Sequence, residues 1–212
     1  MNVRSYTKLT GRILVAWFAF ALMGAAFGIF KAPTGRPPIP VALAASIPIV
    51  VFLISFAVSR GFRDFVLGLN PRVLTMVHSW RLVGFMFLVL YSYHILPGMF
   101  ALPAGWGDIL IGATAPLVAL KLANRKHLKS FVVWQILGIT DLLTAIATAA
   151  TTAIIRPQGI GPDAMAVLPL SLVPTFFVPL LLMLHLICLA QAWRWDELPS
   201  AEPGRSPLAS VA

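Results

Sequence analysis

Residues 130–153 read SFVVWQILGITDLLTAIATAATTA. Apolar and small residues dominate this stretch, and Asp141 is its one charged side chain. A helix needs about 20 mainly apolar residues to cross the hydrocarbon core of a bilayer, so the run is long enough to span. Five further runs meet the same condition, at about residues 12–30, 39–58, 71–96, 104–123 and 166–193. The pattern predicts an all-α integral membrane bundle of six transmembrane helices, arranged as three helical hairpins. Asn70 is a suitable cap for the third helix, and Pro71 suits a first helical position. Pro169, Pro174 and Pro179 predict a kinked sixth helix whose freed carbonyls are satisfied by neighbours.

Composition agrees. Of the 212 residues, 59% are hydrophobic and 11% are charged. A soluble domain carries about 25% charged residues. A soluble enzyme and a disordered chain are both excluded on this ground. A single cysteine, Cys188, excludes a disulfide framework or a thiolate zinc cluster within one chain.

Sixteen Lys and Arg face seven Asp and Glu, which alone suggests nucleic acid. Their placement points to a membrane surface instead. With the N-terminus cytoplasmic, thirteen basic residues fall on the inner side, and Lys31, Arg36 and Arg156 fall on the outer side. That bias predicts both termini in the cytoplasm. Anionic headgroups then account for the net charge of +9, with the lipid bilayer as partner and no nucleic acid. The N-terminal apolar run of about 18 residues is longer than a signal-peptide core, so it reads as a retained helix. The segment RGFRDFVLGL (60–69) is too short and too charged to cross. It is expected to lie on the inner surface with Phe62, Phe65 and Val66 in lipid. Residues 198–212, rich in Pro, Ser and Ala, read as a disordered tail behind a 1–197 transmembrane domain. His127, in the basic stretch NRKHLK, reads as a headgroup contact.

An internal echo runs through the second half. Trp80-x-x-x-Gly84 returns 54 positions later as Trp134-x-x-x-Gly138. Pro103-x-Gly105-x-Gly107-Asp108 returns as Pro157-x-Gly159-x-Gly161-Pro162-Asp163. A repeated hairpin unit gives this pattern, and so does ordinary turn and interface chemistry.

Ionisable groups at membrane depth are expensive and mark candidate sites. Asp141 lies near the centre of its span, and Thr144, Thr148 and Thr152 share its face at ~100° per residue. Such a stripe suits a proton-carrying or cation-coordinating carboxylate lined by hydroxyls. It also suits a protonated Asp bonded across helices, with threonines bonding their own backbone. Asp108 shares a face with Gly105, Gly112, Ala115 and Ala119, small residues that admit a close neighbour. Placed in the first turn of its helix, it caps amide groups. Counted from a hairpin tip at about Phe100, His94 and Asp108 fall at similar depth, which suits a proton relay or half of a metal site. Tyr91 and Tyr93 lie nearby.

His78 and His185 also match in depth, on different helices. Two such imidazoles suit haem ligation, with Arg81 pairing a propionate. No P-loop, HExxH or Gly-x-Ser-x-Gly signature is present, so a nucleotide-handling enzyme is not expected.

Trp80-Arg81-Leu82-Val83-Gly84 and the run ALPAGWGD at 101–108 resemble a group of small, uncharacterised bacterial multi-pass membrane proteins. The resemblance covers about the third to fifth helices. It implies a bacterial inner-membrane location and carries no activity. The leading expectation is an inner-membrane protein handling a small solute or protons, with Asp141 central and His94 with Asp108 as outer gate. The alternatives are a haem-binding or redox membrane subunit and a non-catalytic scaffold subunit.

Overall fold

The computed structural model describes residues 3–33, 36–156 and 159–197, so the tail at 198–212 lies outside the described residues. Every regular element described is helical. Eight α-helices follow in chain order: α1 Val3–Ala26, α2 Ile39–Val58, α3 Arg60–Leu67, α4 Pro71–Val77, α5 Phe85–Ser92, α6 Gly98–Leu117, α7 Leu128–Ile155 and α8 Val178–Glu197. A 3₁₀ segment, His78–Gly84, joins α4 to α5 into one span, Pro71–Ser92. Wide turns extend α6 through Leu122 and start α8 at Val173. Six helices are long and apolar enough to cross a membrane.

The outward faces are apolar. Val15, Phe27, Leu110, Leu120 and Ile154 all stand exposed, and no residue of α2 is buried. Apolar exposure on this scale suits lipid, not water. Asn70 accepts from Arg72 N at 2.9 Å, with Pro71 at the first helical position, so the cap expected for the third span is present. Ser59 caps α3 in the same manner, accepting from Phe62 N at 3.3 Å. Arg63 donates to the Phe56 and Ala57 carbonyls at the end of α2.

Three sequence expectations are corrected. The helix around 104–123 begins earlier, at Gly98, and Pro103 lies inside it. The first four amides of a helix have no intrahelical partner, so a proline in its second turn forfeits a single bond. The apolar face of α3 meets protein instead of lipid. Val66 is buried, Phe65 stacks on Tyr6 at 5.4 Å, and Phe62 packs edge-on against Phe52. The sixth span starts at Val173, which leaves Pro169 outside the helix. Pro179 has no N–H to give the carbonyl of Thr175. The Trp17 indole donates to that carbonyl at 3.1 Å and pins α1 to the bundle.

Two apolar clusters occupy opposite halves of the bundle. Leu74, Ile111, Phe131, Trp134, Ile187 and Cys188 build one, towards α3. Phe87, Leu96, Phe100, Ala104 and Met165 build the other, towards the tips at 93–97 and 159–172. Between them, on the third span, α6, α7 and α8, lie His78, Arg81, Asp108, Gln135, Asp141 and His185.

The two copies of the repeated motif do not fold alike. Pro103 to Asp108 lies within α6, whereas Gly159 to Asp163 forms a loop and the start of a short 3₁₀ turn. Pro157 falls outside the described residues.

Candidate functional site: a buried arginine between two carboxylates

Arg81 sits half way along the third span and is 3% exposed. Its Nε donates to Asp108 Oδ1 at 2.6 Å, and its second terminal nitrogen donates to Asp141 Oδ2. The first terminal nitrogen donates to the Gly138 carbonyl at 3.3 Å and lies 3.5 Å from His185 Nε2. One guanidinium therefore ties the third span to α6, α7 and α8. Its planar fork of donors makes this geometry possible, which a lysine ammonium does not reproduce. Both carboxylates are about one-sixth exposed.

Arginine only donates, so His185 Nε2 accepts and its Nδ1–H donates to Gln135 Oε1, at 2.5 Å. The His185 ring stacks on His78 with centroids 3.8 Å apart. Trp134 packs against both imidazoles, and its indole N–H donates to Thr114 Oγ1 at 2.9 Å. Both ring nitrogens of His78, and Nε2 of Gln135, lack a partner.

Missing side chains make the closeness tolerable. A Cβ at Gly84 would overlap Asp108, and one at Gly138 would overlap the His185 ring. The glycines of both Trp-x-x-x-Gly motifs thus leave room for a polar side chain of the following span. At Gly107, a Cβ would overlap the Asp141 carboxylate.

Asp141 stands thirteen residues after Leu128 and fourteen before Ile155, at the centre of α7. Its threonine stripe does not line it. Thr144 donates to the Thr140 carbonyl and Thr148 to the Thr144 carbonyl, both at 2.8 Å. Thr152 is buried and donates to the Thr148 carbonyl. Asp108 meets Arg81 and not His94. His94 lies exposed in the tip with φ +57°, ending the third span. Histidine is among the residues enriched in that left-handed region. Asp108 falls ten residues beyond Gly98, roughly 15 Å below the tip at the helical rise, so the two are not at one depth. For the same reason Asp108 is not in a first turn and caps no helix. The gate expected from His94 and Asp108 does not form.

His78 and His185 do come together, but not as haem ligands. Two axial imidazoles must point at an iron from opposite faces of a porphyrin. Rings stacked 3.8 Å apart are already in van der Waals contact and leave no space for that plane. Arg81 is committed to two carboxylates, so it is not free for a propionate. The residues present do not fit haem. Among the described residues, no group of three or more His, Cys, Asp or Glu is placed to hold a metal ion.

A family model described as a domain of unknown function (DUF8737) matches residues 38–192. The chain belongs to that family. Arg81, Asp108, Asp141, His78 and His185 all lie within the DUF8737 domain, while α1 and the loop after it lie outside. No curated protein and no solved structure matches the chain.

Beside the Arg81–Asp108 pair, on the side of the tips, a cavity of about 720 Å³ opens. Its volume is in the range of small-molecule pockets, ~300–1,000 Å³. Arg81 and Asp108 line it along with Lys31, Arg36, Arg156 and Asp163.

The charge bias takes Arg81 as one of the thirteen inner basic residues, although it lies ten residues beyond Pro71. The structure moves it into the middle of the bundle. Gln135 was missed altogether. Its signal was spacing: Trp134, Gln135, Gly138 and Asp141 share one helical face.

Proposed function

We propose that the chain is a multi-pass protein of the bacterial inner membrane that couples protonation of the Arg81–Asp108–Asp141 cluster to movement of a small solute. The observation that carries this reading is a single guanidinium held between carboxylates from two other helices, half way through the bundle. Charged groups at that depth are costly and mark ion and proton pathways. With both carboxylates ionised, the cluster carries a formal charge of −1, and one added proton neutralises it. The adjoining cavity supplies access on one side. Unpartnered polar atoms support a hydrated path on the other. Gln135, whose Nε2 has no partner, lies beside the cluster, and Gln191, whose Oε1 has none, donates to the Leu67 and Leu69 carbonyls at the α3 end. Buried water is the usual partner of such atoms. Moving Arg81 into the bundle leaves twelve inner basic residues against three outer ones, which supports cytoplasmic termini.

Dye-detected proton flux in liposomes tests the reading. Wild-type protein is expected to carry flux above empty liposomes. Asp141→Asn is expected to fall to background while still inserting and keeping its helix content. Equal flux for both proteins removes Asp141 from the mechanism.

One observation favours a scaffold instead: every nitrogen of Arg81 has a partner, as in a structural pin. Under that reading Asp141→Asn lowers stability and there is no flux to lose.

A further inference from the structure

Three basic residues stand at the tip end of the bundle, Lys31, Arg36 and Arg156, and all three line the 720 Å³ cavity. Positive charge is otherwise concentrated at the opposite end. These three are the exceptions to the charge bias, and they converge on one space. Arg156 is spoken for: its guanidinium makes a two-bond pair with Asp163, at 3.1 and 2.6 Å. Lys31 and Arg36 are exposed and have no ion-pair partner among the described residues. Apart from Arg81, Asp108 and the four charged groups at the mouth, every lining residue is apolar, Gly or Pro. The wall comes from α2 (Val41, Ala45), α7 (Ala149, Ala150) and the start of the sixth span (Val173, Phe177). The space is therefore amphipathic along its length: two unpaired cations at the mouth, hydrocarbon surface below, and a polar floor whose own cation, Arg81, is already paired.

We infer that this cavity binds an anionic amphiphile, with its charged head held by Lys31 and Arg36 and its hydrocarbon chain against the apolar wall. Charge complementarity selects the head. A neutral or zwitterionic head leaves the two cations without a counter-charge, and a cationic head is repelled. The apolar wall selects a chain over a compact polar solute. The inference stands on the cavity alone and does not depend on proton coupling.

Native mass spectrometry of the full chain in detergent tests it, with phosphatidylglycerol, phosphatidylcholine and oleate as probes. The expected result is retention of one phosphatidylglycerol or oleate per chain and loss of phosphatidylcholine. Phosphatidylglycerol retained over oleate assigns a bilayer lipid, and the reverse assigns a free amphiphile. Lys31→Ala with Arg36→Ala should weaken retention roughly thirtyfold, at about one surface cation's worth of attraction each. Both positions are exposed, so the fold should survive. Ala150→Trp, which fills the cavity from an exposed position, should abolish retention with the cations intact. Equal retention of phosphatidylcholine, or retention unchanged in the Lys31/Arg36 variant, overturns the inference.

Discussion

The imidazoles of His78 and His185 lie face to face with centroids 3.8 Å apart, yet their hydrogen bonding is unequal. His185 is bonded to Gln135 and adjoins Arg81, while neither nitrogen of His78 has a partner. A buried polar atom left unsatisfied costs about 1–3 kcal/mol. His78→Phe, which keeps a flat ring and removes those atoms, should therefore leave thermal stability in detergent unchanged or raised. His185→Phe should lower it by about 1–3 kcal/mol, because Gln135 loses its donor. Equal losses for both would show that His78 has a partner that the geometry does not contain.

Arg81 gives the largest expected effect. Arg81→Met leaves two carboxylates facing each other without a cation, and breaking a buried ion pair in this way costs about 3–5 kcal/mol. Adding Asp108→Asn and Asp141→Asn should restore most of the loss. Arg81→Lys should fall between, since one ammonium cannot span both carboxylates and the Gly138 carbonyl. Unfolding in increasing denaturant measures the series.

Glycines sort by what surrounds them. A Cβ at Gly84 meets the Cβ of Asp108, which is tied to its backbone, and one at Gly138 meets the His185 ring. Gly84→Ala and Gly138→Ala should destabilise by about 1–3 kcal/mol, as overpacking does. Gly11, inside α1, has nothing within 4 Å, so Gly11→Ala should stabilise by roughly 0.5–1 kcal/mol through helix propensity. The same unfolding measurement separates the two classes.

Outside the spans, the Arg156 guanidinium hydrogen-bonds Asp163 and holds its carboxyl below the usual aspartate range. The pair's contribution is present above the ordinary aspartate value and is lost as pH falls through the lowered folded value. Arg156 ends α7 in the left-handed region at φ +43°, so the pair also holds a backbone corner. Hydrogen exchange of residues 159–166, taken relative to the intrinsic amide rate at each pH, should quicken as the solution is acidified in wild type. In Asp163→Asn it should already be fast at neutral pH, with little further change.

Much of the fold was legible because lipid makes a blunt demand. The second helix, Ile39–Val58, coincides with the run expected at about 39–58, since Pro37, Pro38, Ser59 and Arg60 bracket a stretch with no charged residue. Pro103 misled the fourth span, because a proline near a helix start resembles a boundary although it forfeits a single bond. The site was legible in parts only. Depth along a helix can be counted, and counting brought His78 level with His185. Rotation about the axis cannot be counted across helices. Arg81 was thus paired with an imagined propionate when its real partners are Asp108 and Asp141. The threonines of α7 show the same limit: they share Asp141's face, but their hydroxyls turn back to their own helix.

The central claim is that the cluster around Arg81 exchanges a proton. Infrared difference spectroscopy of the protein in bilayers, titrated across pH, reads that event directly. The account predicts a carboxylic-acid carbonyl band that grows on acidification and disappears in Asp141→Asn. A band identical in wild type and Asp141→Asn, or no titrating band in either, would contradict it.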